Sequence, residues 1–170
     1  MIHHNDYSGL LNNNKLWAAE KLKTDPAYFE ELAEPQKPKF LFIGCSDSRV
    51  PLTSILQSEP GDLFVHNNIA NQVNLTDINL LSIIEYAVEI LNIEHIIVLG
   101  HYKCGGVKAA VEGLDEEDIV ENWVSQISDI YHYHKKELEA INDTGKMYDR
   151  ISEMNVVAQI KNLLRTPIIQ

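Results

Sequence analysis

The chain has 170 residues, 45% of them hydrophobic and 23% charged, with a formal net charge of −11. This composition belongs to a folded chain rather than a disordered one, and the length suits a single domain with a sizeable core. The acidic balance argues against nucleic acid or an anionic membrane as partner, because both are recognised by basic patches.

The first predicted elements are helical. Residues 8–23 carry an intermittent apolar face of Leu10, Leu11, Leu16, Ala19 and Leu22, with Ser8 at the capping position. Residues 25–33 read as a second, short helix with Asp25 as cap and Pro26 at its first position. Together they form an N-terminal helical arm, residues 1–34, ahead of an α/β part spanning 35–170. After the breaker "PQKPK", the apolar run "FLFIG" at 40–44 is a strand, and "VPLTSILQ" is a turn or short helix. "EPGD" is a turn leading into a second strand, "LFVHN" at 63–67. Thr76 is expected to cap a long helix reaching Leu91, whose apolar positions recur every three or four residues.

"HIIVLG" at 95–100 is a third, fully apolar strand, and "HYKCGG" turns from it into a helix near 107–112. Residues 116–142 are helical but charged, and the acidic run at 115–121 suits the positive end of a helix dipole. Residues 148–165 form a last amphipathic helix, with Ile151, Met154, Val157, Ile160, Leu163 and Leu164 on one side. "TPIIQ" opens a further segment. Unbroken apolar strands separated by helices indicate a parallel sheet covered on both faces. The apolar runs are shorter than a membrane span, and residues 1–10 lack a basic start followed by an apolar stretch. The expected compartment is therefore the cytoplasm.

Two of the strands end in chemically demanding side chains. The first is followed by Cys45, Asp47 and Arg49, and the third by His101, Cys104, Gly105 and Gly106. In open α/β sheets ligands bind at the carboxyl edge of the strands. Two neighbouring strands would bring Cys45, His101 and Cys104 together there. The two cysteines do not form a C-x-x-C pair, and a structural disulfide is not expected in the cytoplasm. Two thiolates and an imidazole suit Zn²⁺ rather than magnesium or calcium and leave a fourth position. Water in that position gives a catalytic site, with the water's pKa lowered to roughly 7. Asp47 in that position gives a closed site. The fork of Arg49 matches a carboxylate and would restrain Asp47 as an acceptor beside the metal.

The other candidates read as structural. His132 and His134 lie at alternate helix positions that share no face, and both are assigned to solvated surface. His66 and His95 are expected to pack near strand ends, Tyr86 to pack in the core, and the Lys103 side chain to be solvated.

The motifs C-x-D-x-R and H-x-x-C-G-G, with "EPGDLFVHNNIANQV", "IIEYAVEILNIEHIIVLGHYKCGGV" and "NVVAQIKNLLRTPIIQ", resemble the β-class carbonic anhydrases over most of 35–170. The resemblance implies zinc on Cys45, His101 and Cys104, with Asp47 and Arg49 as a catalytic dyad. It implies reversible hydration of carbon dioxide to bicarbonate and a proton. The implied fold is a mostly parallel four-stranded sheet flanked by helices, in a homodimer embraced by its N-terminal helices or in a tetramer of such dimers. Two rival readings share the motifs. One is a hydrolase of carbon disulfide or carbonyl sulfide; the other is a non-catalytic, zinc-stabilised assembly protein. Relatives usually continue with a last strand and helices beyond "TPIIQ". Their absence would open a sheet edge and alter oligomerisation. Asn67 stands where relatives commonly carry arginine, and Phe42 where one subgroup has tryptophan. These two departures argue against that subgroup's non-catalytic bicarbonate pocket.

Overall fold

The computed structural model describes residues 7–113 and 119–170. The chain divides into two compact units, one ending at Gln36 and the other comprising Lys37–Gln170. The first contains α1 (Tyr7–Thr24) and α2 (Tyr28–Leu32). Asp25 accepts a hydrogen bond from the Ala27 N–H at 2.9 Å, closing a turn that delays the second helix to Tyr28 and shortens it relative to 25–33. Trp17 meets Tyr28 and Phe29 edge-on, with ring centroids 6.2 and 5.7 Å apart.

The second unit is built on β1 (Phe40–Cys45), β2 (Leu63–Asn68) and β3 (His95–Leu99), all parallel in the order β2-β1-β3. The fold class is the expected one, but the sheet among the described residues has three strands rather than four. Residues 166–170 form a turn in which the Ile169 N–H donates to the Thr166 carbonyl at 3.1 Å. Being central, β1 is covered on both faces, whereas β3, at the sheet edge, is not fully buried as expected: His95 is exposed and Ile96–Leu99 are half-buried. Leu41 and Ile43 are fully buried with Val73, Leu80, Ile84, Ala87 and Leu163. A second cluster of Val107, Ala110, Val124, Ile127, Leu138 and Ile151 encloses Cys45 and Cys104.

The helices are α3 (Leu52–Ile55), α4 (Ile78–Glu85), α5 (Gly105–Glu112), α6 (Ile119–Tyr133), α7 (Lys135–Glu139) and α8 (Thr144–Leu163). The cap of α4 is Asp77 rather than Thr76. Asp77 accepts from the N–H groups of Asn79 and Leu80, while the N–H and hydroxyl of Thr76 are both taken by the Asn74 side-chain oxygen. Tyr86–Ile90 continues α4 as a single π turn. Tyr86 is not a core residue: it is 41% exposed and stacks on Phe64. The charged helical stretch breaks at His134, between α6 and α7, and the acidic residues 115–118 lie outside the described residues. His132 and His134 are on the surface; His132 bonds the Ser128 carbonyl and His134 faces Glu137. His66 is buried, whereas His95 is exposed and stacks on Phe40.

The largest departure is in α8. Val157, Ile160 and Leu164 are exposed, and the residues buried beside Ile151 and Leu163 are Ser152, Asn155 and Gln159. These polar side chains do not seek apolar partners. Asn155 and Gln159, joined by Asn162, satisfy the backbone of the segment after β2, which forms no ladder of its own, while the Ser152 hydroxyl donates to the Tyr148 carbonyl of the same helix. Asn155 donates to the Ala70 carbonyl at 3.0 Å, Gln159 accepts from the Val73 N–H at 2.8 Å, and Asn162 donates to the Val73 carbonyl at 3.1 Å.

Candidate metal centre

Three segments meet at the carboxyl edge of the sheet. The register pairs Gly44 with Leu99 and Cys45 with Asn68. Cys45 is therefore level with the start of the 100–104 loop on one side and the turn after β2 on the other. That turn runs through Ala70 and Asn71, both at positive φ (61° and 47°), and is closed by a reciprocal pair. The Asn68 amide donates to the Gln72 carbonyl and the Gln72 N–H donates to the Asn68 side-chain oxygen, each at 2.7 Å. Close approach is enforced by two glycines. A Cβ on Gly100 would lie 2.5 Å from Val156 Cγ2, and one on Gly106 would lie 3.0 Å from Ala70 Cβ. α8 thus presses against the start of the loop that carries His101 and Cys104, and the turn against the first residues of α5 that follow it.

The Sγ atoms of Cys45 and Cys104 are 3.9 Å apart, and one ligand atom from each of Cys45, His101 and Cys104 lies within 4.8 Å of the others. Tetrahedral zinc with Zn–S bonds of about 2.3 Å places two sulfurs about 3.8 Å apart, so the sulfur spacing suits that ion. His101 Nδ1 donates to the Tyr102 carbonyl at 2.9 Å, since a carbonyl can only accept. That bond leaves the Nε2 lone pair free. Nε2 is buried and has no hydrogen-bond partner, an arrangement that a cation at this point would satisfy.

The sulfurs are electrostatically coupled. The Cys104 S–H, with His101 and the backbone of Ala70 and Asp47, holds Cys45 below the ordinary thiol range against the opposing effect of burial. The Cys45 sulfur and burial push Cys104 up, while the backbone of Val107 and Gly106 favours its thiolate. Backbone hydrogen bonds to both sulfurs create the polarity that thiolate ligands require.

Asp47 and Arg49 form the arrangement read from their spacing. Arg49 Nε donates to Oδ1 at 2.9 Å and Nη2 to Oδ2 at 2.6 Å, while the Arg49 backbone N–H also reaches Oδ1 at 2.9 Å. These bonds, the side-chain pair first, hold the carboxyl well below the usual carboxylate range. Asp47 Oδ2 lies 3.9 Å from His101 Nε2, beside the cluster yet engaged by arginine. Arg49 Nη2 also donates to the Lys103 carbonyl at 3.1 Å, joining the two ligand-bearing loops.

A model of the family described as "Carbonic anhydrase" matches residues 40–170. A carbonic anhydrase of Emericella nidulans is 44% identical over 161 residues, which are 95% of this chain and 70% of that protein.

The chain belongs to the β-class carbonic anhydrases.

A Candida albicans carbonic anhydrase is 35% identical over 159 residues, covering 92% of this chain and 56% of that protein. Of the solved structures, one of two tetrameric β-carbonic anhydrases from Sordaria macrospora matches at 42% identity with a TM-score of 0.94, over 98% of this chain and 84% of its own. In this β-carbonic anhydrase the motifs supplied Cys45, Asp47, Arg49, His101 and Cys104, and the fold brings all five together. Sequence reasoning missed the supports: the Asn68–Gln72 clamp, the Tyr102 carbonyl, and the polar face of α8. The available signal was Asn155 and Gln159, two amides one helical turn apart inside an otherwise apolar stripe.

Proposed function

We propose that this chain catalyses the reversible hydration of carbon dioxide to bicarbonate and a proton, with Cys45, His101 and Cys104 as zinc ligands and Asp47 and Arg49 as the dyad beside them. One observation carries this reading: two sulfurs and an imidazole converge within 4.8 Å of one another, next to a carboxylate whose two oxygens are both held by arginine. Zinc held there supplies an acidified water as the nucleophile toward carbon dioxide.

The chain's own residues do the rest. Arg49 keeps Asp47 ionised and oriented, so that its carboxylate accepts a hydrogen bond in the site instead of entering the ligand set. The Tyr102 carbonyl fixes the His101 tautomer and ring direction. The apolar neighbours Ala70 and Val107 keep the wall of the cluster dry. Engagement of both Asp47 oxygens by Arg49 supports the open site over the closed one. We read the assembly as a homodimer or tetramer of this chain. The similarity to the tetrameric Sordaria enzyme supports that reading, as do the exposed Val65, Ile69, Ile78 and Ile90 side chains.

The direct test is stopped-flow hydration of carbon dioxide by zinc-loaded protein and its Asp47→Ala variant. A fall of about 10²-fold or more is expected, the usual scale for loss of a positioned acid–base or orienting group. Equal rates remove Asp47 from the mechanism. Wild-type protein that holds zinc but is inactive removes the assignment itself.

A further inference from the structure

The loop from Gly100 to Cys104 carries two of the three ligand residues, yet it lies outside both β3 and α5. Within it Lys103 has φ 55°, a conformation that costs an L-residue energy. Something outside the loop must hold it. We propose that Asp149 and Glu153, one turn apart on α8, are positioning residues for the metal centre: they fasten Lys103 and Tyr102 so that His101 and Cys104 stay aimed at the point faced by Cys45. This inference rests on the reading of that cluster as a zinc site.

The fastening is specific at each residue. The Lys103 N–H donates to Asp149 Oδ1 at 3.3 Å, while the Lys103 carbonyl accepts from Arg49, so both sides of the left-handed residue are tied. The Tyr102 hydroxyl donates to Glu153 Oε1 at 3.0 Å, and the Tyr102 carbonyl accepts from His101 Nδ1. Tyr102 therefore links the imidazole to α8 through its own two ends. Glu153 is held in turn by Arg150, whose Nη1 donates to Oε2 at 2.9 Å. α8 is a firm anchor because Ile151, Ser152, Asn155 and Gln159 are buried along it. Outer partners of this kind restrict ligand orientation and so slow metal release.

The test uses the full chain loaded with zinc. Release to an excess of a colorimetric chelator is timed for wild type, Asp149→Ala, Asp149→Asn and Tyr102→Phe, alongside the visible spectra of the cobalt(II) forms. Wild type is expected to hold about one zinc per chain. Asp149→Ala and Tyr102→Phe should release zinc about 10- to 100-fold faster and shift the cobalt bands. Asp149→Asn should behave like wild type, because its side-chain oxygen still accepts from Lys103. Wild-type release rates in both Asp149→Ala and Tyr102→Phe would overturn the proposal, as would an Asp149→Asn variant as fast as Asp149→Ala. If Asp149→Ala does not fold, Tyr102→Phe decides: faster release supports the proposal and unchanged release overturns it. A wild-type chain that binds no zinc would instead sink the assignment of the metal site.

Discussion

Replacing Gln159 with leucine tests whether the polar face of α8 holds the turn beside Cys45. Gln159 is fully buried; its side-chain oxygen accepts from the Val73 N–H and its amide donates to Asn155 Oδ1 at 2.8 Å. Leucine of similar size leaves the Val73 N–H and Asn155 Oδ1 without this partner, while the Asn162 amide, which also reaches Gln159 Oε1 at 3.3 Å, keeps the Val73 carbonyl and Gln126 as acceptors. Each buried group left unpaired costs about 1–3 kcal/mol, so the two together cost about 2–6 kcal/mol, partly offset by the added apolar burial. A net loss of about 2–4 kcal/mol is expected. For a chain of this length, that corresponds to a Tm lower by about 4–16 °C. Val157→Ala is the control, since the apolar-stripe reading puts Val157 on the buried side whereas the structure leaves it 52% exposed. Its expected cost is within about 0.5 kcal/mol. The assay is urea unfolding at fixed protein concentration, followed by tryptophan fluorescence. Trp123 reports locally: its indole N–H donates to the Ile69 carbonyl, and its own carbonyl accepts from the Gln72 amide. A loss below about 1 kcal/mol for Gln159→Leu, or an equal loss for Val157→Ala, would refute the reasoning.

Gly100→Ala should destabilise by about 1–3 kcal/mol, since its Cβ would sit 2.5 Å from Val156 Cγ2; adding Val156→Ala should restore much of that, and thermal melts of the single and double variants check it. His66 contributes a pH dependence of definite sign. Burial pushes its imidazole below the ordinary value, Asp77 opposing in part, and Nε2 accepts from the Asn68 amide, which the protonated ring could not do. Its depressed folded-state pKa means that the stability it confers is full above the unfolded value of about 6.5 and is lost as pH falls from there through the folded value. Urea midpoints of metal-free protein at pH 8 and pH 5.5 should therefore drop further in wild type than in His66→Gln. Parallel drops would show that His66 is not the titrating group.

The donor set was legible because its chemistry is local. Cys45, Asp47 and Arg49 follow one apolar run, and His101, Cys104 and two glycines follow another, so residue type and spacing alone state which atoms are available. β1 and β3 were legible for a related reason, since an unbroken apolar run is suited to a parallel sheet, while β2 was marked by the "EPGD" turn ahead of it. Other choices turned on partners far away in the chain. Asp77 rather than Thr76 caps α4 because Asn74 captures the threonine, and Tyr86 lies at the surface because Phe64 offers it a stacking face there.

The buried side of α8 was decided at still longer range. Periodicity assigned it to Val157 and Ile160, but the positive-φ turn after β2 leaves the Ala70 carbonyl and the Val73 N–H and carbonyl outside any strand, and Asn155, Gln159 and Asn162 pair with them. Apolar periodicity measures the average preference of a face for leaving water. It carries no information about which distant peptide groups that face will meet. The identity of the ligands therefore resides in the sequence, whereas the hydrogen bonds that aim them arise only once β1, β3 and α8 are packed together.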